Sequence, residues 1–243
     1  MKTRLYKKLF LLLLVLALLL VSLPACAASK TLPQKETFTQ EETDTWVAKC
    51  IADYGALHQK DALHFSEIRT YKTEKRESVL SNAQIWFRGA DYLKEDVTAK
   101  GVRLHAVTKN NTGYKMQALE GQSEVWLSAH NPYYEFDLSD MKWEERGYQF
   151  ESIAGTKKET EVTFFWNLGS DNCTLSARTF HLTFCYEADT LTRIVFTHTS
   201  YTGGSIDPEK VHNVDSTEYV FHSTPESEIA EKIDAAFKKA SGK

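Results

Sequence analysis

Val162-Thr163-Phe164-Phe165-Trp166-Asn167-Leu168 and Phe180-His181-Leu182-Thr183-Phe184-Cys185-Tyr186 decide the fold. In the first stretch Val162, Phe164, Trp166 and Leu168 hold every second place; in the second, Phe180, Leu182, Phe184 and Tyr186 do. Side chains along a strand point alternately to its two faces, so this period makes two strands, each with one apolar face. The same alternation recurs at Val102, Leu104 and Ala106, at Val125, Leu127 and Ala129, and at Tyr134, Phe136 and Leu138. The intervening places hold mostly Thr, Lys, Arg, Glu and His, which suits a sheet with one face toward water.

Outward from these stretches, roughly eleven short runs of strand character follow Asp61, centred near residues 67, 86, 105, 116, 127, 136, 150, 165, 180, 196 and 219. Turn residues punctuate them at 110–113, 120–121, 169–172, 187–190 and 203–204. No stretch of helical period separates successive runs, which argues for hairpins and an antiparallel sheet. Helices flank the meander. Thr39-Gln40-Glu41-Glu42 has the form of a capping box, and Trp46, Val47, Cys50, Ile51, Tyr54 and Leu57 make one apolar stripe. Thr224-Pro225 reads as a helix start, with Ile229, Ile233, Ala236, Phe237 and Ala240 as the stripe and Lys238 and Lys239 near the end. The predicted class is mainly β with flanking helices (α+β), in a single domain over residues 38–243.

A sheet of about eleven strands accumulates twist and must curl, close or split. The expected form is a large curled antiparallel sheet, a half-barrel, with the N-terminal and C-terminal amphipathic helices covering its concave face. The space so enclosed either fills with side chains or holds an apolar ligand. Trp86, Trp126, Phe164, Trp166 and Phe184 are the aromatics expected near such a cavity, or in plain core beside it.

The N-terminus gives an address. Lys2, Arg4, Lys7 and Lys8 precede an unbroken apolar run from Leu9 to Val21, followed by Ser22-Leu23-Pro24-Ala25-Cys26. A basic front, an apolar run of about 7–15 residues and a small-residue exit describe a secretory signal peptide. Leu23-Pro24-Ala25-Cys26 resembles a bacterial lipobox, which implies cleavage after residue 25 and lipidation of Cys26. Residues 26–37, small and polar around Pro33, then form a tether. Two alternatives stay open: Ala25-Cys26-Ala27 fits an ordinary signal-peptidase site, and an uncut segment approaches the ~20 residues that span a bilayer. All three place the domain outside the cytoplasm; in the lipobox reading lipidated Cys26 anchors it in the bacterial cell envelope, to the outer face of the cytoplasmic membrane, or to an outer membrane if the host has one.

Charge narrows the partners. The chain has 29 basic and 33 acidic residues. The signal segment holds four of the cations, so residues 26–243 carry −8, which excludes a nucleic-acid surface. With Cys26 assigned to lipid, Cys50, Cys173 and Cys185 remain. Cys173 with Cys185 is the pair expected to bridge, the alternative being buried free thiols. The eight His residues show no paired ligand spacing, so no metal or other cofactor is expected. No nucleophile elbow or phosphate loop occurs. Gly203-Gly204-Ser205-Ile206-Asp207-Pro208 reads as a turn, and the acidic pairs Glu41-Glu42 and Glu144-Glu145 read as solvated, so no catalytic residue is assigned.

Two stretches carry a family resemblance. Ala83-Gln84-Ile85-Trp86-Phe87-Arg88-Gly89-Ala90-Asp91-Tyr92-Leu93 and Glu120-Gly121-Gln122-Ser123-Glu124-Val125-Trp126-Leu127-Ser128-Ala129-His130-Asn131-Pro132, within the helix, meander, helix order, resemble the periplasmic lipoprotein-carrier superfamily. Its relatives include mycobacterial-type LppX-like lipoproteins and an anti-sigma-factor regulator's sensor domain. The resemblance implies a cavity between sheet and helices that accepts a lipid, an acyl chain or a lipidated partner, and hence a non-enzymatic binding domain. The alternatives are an envelope sensor or scaffold module with a filled interior and, third, an envelope hydrolase.

Overall fold

A computed structural model describes residues 37–242 apart from 58, 120, 130–146, 157 and 172–175. Helix α1 spans Gln40–Leu57. Its start is a capping box: the Thr39 amide donates to Glu42 Oε2 at 2.9 Å and the Glu42 amide donates to Thr39 Oγ1 at 3.2 Å. Strands follow as β1 (Ala62–Thr73), β2 (Arg76–Arg88), β3 (Asp91–Thr98), β4 (Val102–Lys109), β5 (Thr112–Leu119) and β6 (Trp126–Ala129). Then come β7 (Gln149–Thr156), β8 (Glu159–Asp171), β9 (Ser176–Glu187), β10 (Thr190–Thr202) and β11 (Val211–His222), and helix α2 spans Glu226–Ser241.

The eleven described strands form one open antiparallel sheet in the order β6-β5-β4-β3-β2-β1-β11-β10-β9-β8-β7. The hairpins carry left-handed residues where tight turns need them, as at Asn110 (φ 51°) and Asn111 (φ 61°). At the β7–β8 hairpin, Gly155 has φ +99° and a Cβ there would lie 2.1 Å from the Glu159 carbonyl oxygen, so only glycine fits.

The fold class is the one expected: mainly β, a curled sheet with flanking helices. β3 is a strand that the alternation does not predict, because Lys94, Glu95 and Asp96 at its middle hide its period. The run centred near 136 lies outside the described residues.

The helices do not share a concave face. Ile85 and Trp86 are consecutive on β2, so they point to opposite sides, yet both are buried. Ile85 belongs to the core under α1, with Cys50, Leu57, Phe65, Val162, Phe164, Phe184 and Ile194. Trp86 belongs to the core under α2, with Leu93, Val107, Ile229 and Ile233. The register agrees: Phe65 pairs with Ile85, and His64 with Trp86. α1 therefore covers one face over β7–β11, β1 and β2, and α2 covers the reverse face over the β2–β6 half. Two-sided cover of β2 is the reason that its sequence, Ile85-Trp86-Phe87, runs apolar without alternating.

Two smaller expectations are also corrected. Thr224 does not cap α2; its Oγ1 instead meets His64 Nδ1 at 2.7 Å, and Pro225 stands at the cap with no side-chain bond. Cys50 and Cys185 are buried free thiols, so the bridge from Cys185 to Cys173 is not made. Cys185 lies on the face opposite α1, its Sγ 3.8 Å from Glu161 Oε1, while Cys173 lies outside the described residues.

Candidate functional site

Strand register arranges the α1 face in rows that cross β8, β9 and β10. Val162, Phe184 and Ile194 form one row, Phe164, Leu182 and Phe196 the next, then Trp166, Phe180 and His198, then Gly169, Arg178 and Ser200. Rows are two residues apart, ~6.7 Å by strand geometry. Burial falls along this direction: Val162, Phe184 and Ile194 are fully buried, whereas Phe196, Trp166, Phe180 and His198 are half-buried. The buried end is where α1 sits. Trp46 meets Tyr186 at a centroid distance of 4.9 Å, and Tyr186 Oη donates to Cys50 Sγ at 3.5 Å. Burial pushes the Cys50 thiol up to about 12, and it raises the Tyr186 hydroxyl too. Neither group ionises at neutral pH, so this end is inert packing.

The open end is a ladder of stacked rings. Trp166 and Phe180 lie 4.7 Å apart at 24°, and Phe180 and His198 4.8 Å apart at 11°. Phe196 stacks on Phe180 at 5.8 Å, and Tyr148 approaches Trp166 at 6.0 Å. Ring spacing close to the strand spacing of about 4.8 Å means that the rings stand upright on the sheet and present their edges outward. Phe150, paired with Phe164 across β7 and β8, is 41% exposed beside them. The polar border is His198, whose Nδ1 faces Asp215 Oδ2 at 3.8 Å and whose Nε2 lies 3.4 Å from Ser200 Oγ. Desolvation lowers the His198 pKa, partly opposed by Asp215 and reinforced by Arg178.

The five aromatics singled out from sequence divide between the two faces. Phe164, Trp166 and Phe184 lie on the α1 face, and only Trp166 is at the open end. Trp86 and Trp126 lie under α2. Trp86 stacks on His64 at 4.7 Å with Lys232 Nζ 4.9 Å from its ring, and Trp126 meets His105 at 6.3 Å. They do not line one space with the other three. Phe180, Phe196 and His198 complete the ladder and were missed, although Phe180 sits at the head of the alternating run that decides the fold. Cys26 lies outside the described residues.

On the α2 face, β2, β1 and β11 carry a polar chain that sequence reasoning also missed. Gln84 Nε2 donates to Ser66 Oγ at 2.7 Å, and Ser66 Oγ lies 2.7 Å from His222 Nε2. His64 Nε2 lies 3.0 Å from Gln84 Oε1. With the amide so oriented, His64 Nε2 donates, His64 Nδ1 accepts from Thr224, and Ser66 donates to His222. Burial first, then the neighbouring His222 and Lys232, lowers the His64 pKa and favours this neutral arrangement. The chain ties the start of α2 to the sheet centre.

No family model matches the chain. No curated protein matches it. Among solved structures it is similar to a DUF1329 family protein from Desulfovibrio piger, at 9% identity over 73% of this chain and 89% of that one, with a TM-score of 0.25.

Proposed function

We propose that this chain is a lipid-anchored extracytoplasmic binding protein that holds a lipid, an acyl chain or another apolar ligand. In this reading Cys26 carries the anchor, residues 26–37 are the tether, and residues 38–243 form the binding domain. The observation that supports it is the ladder of Trp166, Phe180 and Phe196, half-buried and continuous with the core under α1. Aromatic edges in line with a packed core offer an apolar chain both contact area and a path out of water. Purified protein should bind a pyrene-labelled fatty acid saturably, and Phe180→Ser should weaken that binding about tenfold or more, since one buried aromatic side chain is worth roughly 1.5–3 kcal/mol. Saturable binding unchanged by Phe180→Ser moves the ligand away from this face; no binding ends the reading.

A second reading, a module that binds protein partners, is favoured by a separate observation. On the same sheet face near the β6 edge, Leu104, Leu119 and Leu127 are exposed. Recovery of one stoichiometric envelope protein, lost on Leu127→Lys, with no lipid bound, would replace the first reading by this one.

A further inference from the structure

The two rims of the sheet, where its strands turn, differ in what they expose. One rim carries the β2–β3, β4–β5, β7–β8 and β9–β10 turns, and the opposite rim carries the β1–β2, β3–β4 and β10–β11 loops. Five of the twelve large apolar side chains exposed among the described residues stand at the strand ends that meet these last three loops: Val79, Leu80, Val97, Ile206 and Val211. None stands in the four turns of the first rim. The six strands concerned run consecutively as β4-β3-β2-β1-β11-β10, so the five residues make one edge rather than a scatter.

Local structure holds these residues out. Leu80 is an extra residue on β2, since Arg69 pairs with Ser81 and Thr70 with Val79, and this bulge leaves Val79 and Leu80 exposed together, at 50% and 43%. The Leu80 carbonyl accepts from the Ala99 amide at 2.8 Å, which joins the bulge to the β3–β4 turn. In the β10–β11 loop the Glu209 amide donates to Asp207 Oδ1 at 3.0 Å and opens a short 3-10 turn, Pro208–Lys210, between Ile206 and Val211.

The same loops are basic in an acidic protein. Residues 72–77, 97–103 and 203–212 hold six cations and four acids, a net of +2, where residues 26–243 carry −8. Lys72 pairs with Glu77 at 3.2 Å, Lys210 with Asp207 at 3.2 Å and Arg103 with Glu124 at 2.9 Å. That leaves Lys75, Arg76 and Lys100, which form no ion pair with a described residue, against Glu74 and Glu209.

We propose that this rim docks on an anionic lipid bilayer, with Val79, Leu80 and Ile206 entering the interface and Lys75, Arg76 and Lys100 beside the head groups. Apolar side chains among cations suit that boundary, because the apolar parts leave water while the cations meet the lipid charge. This goes beyond the ligand reading above and uses none of the ladder residues, so a chain that binds no fatty acid can still dock.

The test follows amide exchange of the full chain on vesicles of phosphatidylcholine alone and of phosphatidylcholine mixed with phosphatidylglycerol. Because the apolar N-terminal run can attach the chain to either vesicle, the readout is local: residues 73–76, 99–101 and 203–208 against the turns at 89–90, 110–111 and 187–189. Mixed vesicles should slow exchange in the first group about tenfold or more and leave the second unchanged. Lys75→Gln with Arg76→Gln should raise the vesicle concentration that gives half of this slowing about tenfold to thirtyfold, and high salt should act in the same direction. Leu80→Ser should raise it severalfold, and unchanged exchange in β8 and β9 shows that each variant is folded. Equal slowing at both rims, equal slowing on phosphatidylcholine alone, or none on mixed vesicles overturns the inference. Slowing of the same loops without vesicles as protein concentration rises assigns the rim to a second copy of the chain and overturns it too.

Discussion

The two faces of the sheet hold their helices by different means. Under α1 the contact is apolar and continuous: Cys50, Leu57, Phe65, Phe164, Phe184 and Tyr186 pack together, and the described ion pair of α1, Lys49 with Asp53 at 3.1 Å, is internal to the helix. Under α2 the apolar contact is smaller, with Ile229 and Ile233 on Trp86, Leu93 and Val107. Its rim is charged. Arg88 pairs with Glu226 at 2.7 Å and Lys232 with Glu95 at 3.2 Å, while Lys109 meets Asp234 and Lys239 meets Glu124. Exposed pairs contribute about 0–1 kcal/mol each, so the rim fixes the position and direction of α2 more than it stabilises the fold. Among the described residues the α1 face has no such rim, and its aromatic end is half-buried.

The largest effect expected from this contrast is at the centre of the α1 core. Phe184→Ala should cost about 3–5 kcal/mol, read as a fall in the urea midpoint at unchanged slope. Ile233→Ala should cost less, about 2–3 kcal/mol, because its core is narrower. Equal losses at the two sites would erase the distinction between a packed and a rimmed helix.

Acid should act next. Burial lowers the His64, His105 and His198 pKa values, so below the unfolded value of about 6.5 the unfolded chain binds more protons than the native one. Stability is then complete above that pH and declines as pH falls through it. Two of the three groups lie on the α2 face, so His64→Gln with His105→Gln should flatten most of the decline in Tm between pH 7.5 and 5.5. A decline that persists in the double variant places the sensitivity elsewhere. The smallest effect is that of salt. Glu226→Gln should cost no more than about 1 kcal/mol, and high salt should speed amide exchange in α2 while leaving α1 unchanged.

Much of this was readable in the sequence, and the unread parts have physical causes. α1 was legible because its capping box and stripe are local signals; Ile51, included in the stripe, is 50% exposed at its edge. β8 and β9 were legible because alternation survives wherever one face meets water. β3 was hidden because its charged residues find partners far away in the chain, Lys94 with Glu67 at 3.4 Å and Glu95 with Lys232. The opposite placement of the helices was legible in principle from the unalternating Ile85-Trp86-Phe87, which only a strand covered on both sides explains. The ladder could be found one residue at a time, at Trp166 and Phe180, but their alignment depends on register, which no local pattern states.

Strand β11 lies between β1 and β10, and no other described strand links the half built from β1–β6 to the half built from β7–β10. Ser66 and His222, bonded across that junction, are 156 positions apart in the chain. A chain that lacks β11 should therefore hold at most two separate partial sheets. Residues 211–222 act as the closing tooth of a zip: the ring ladder is aligned within β8, β9 and β10, but its half joins the other only through that single insertion.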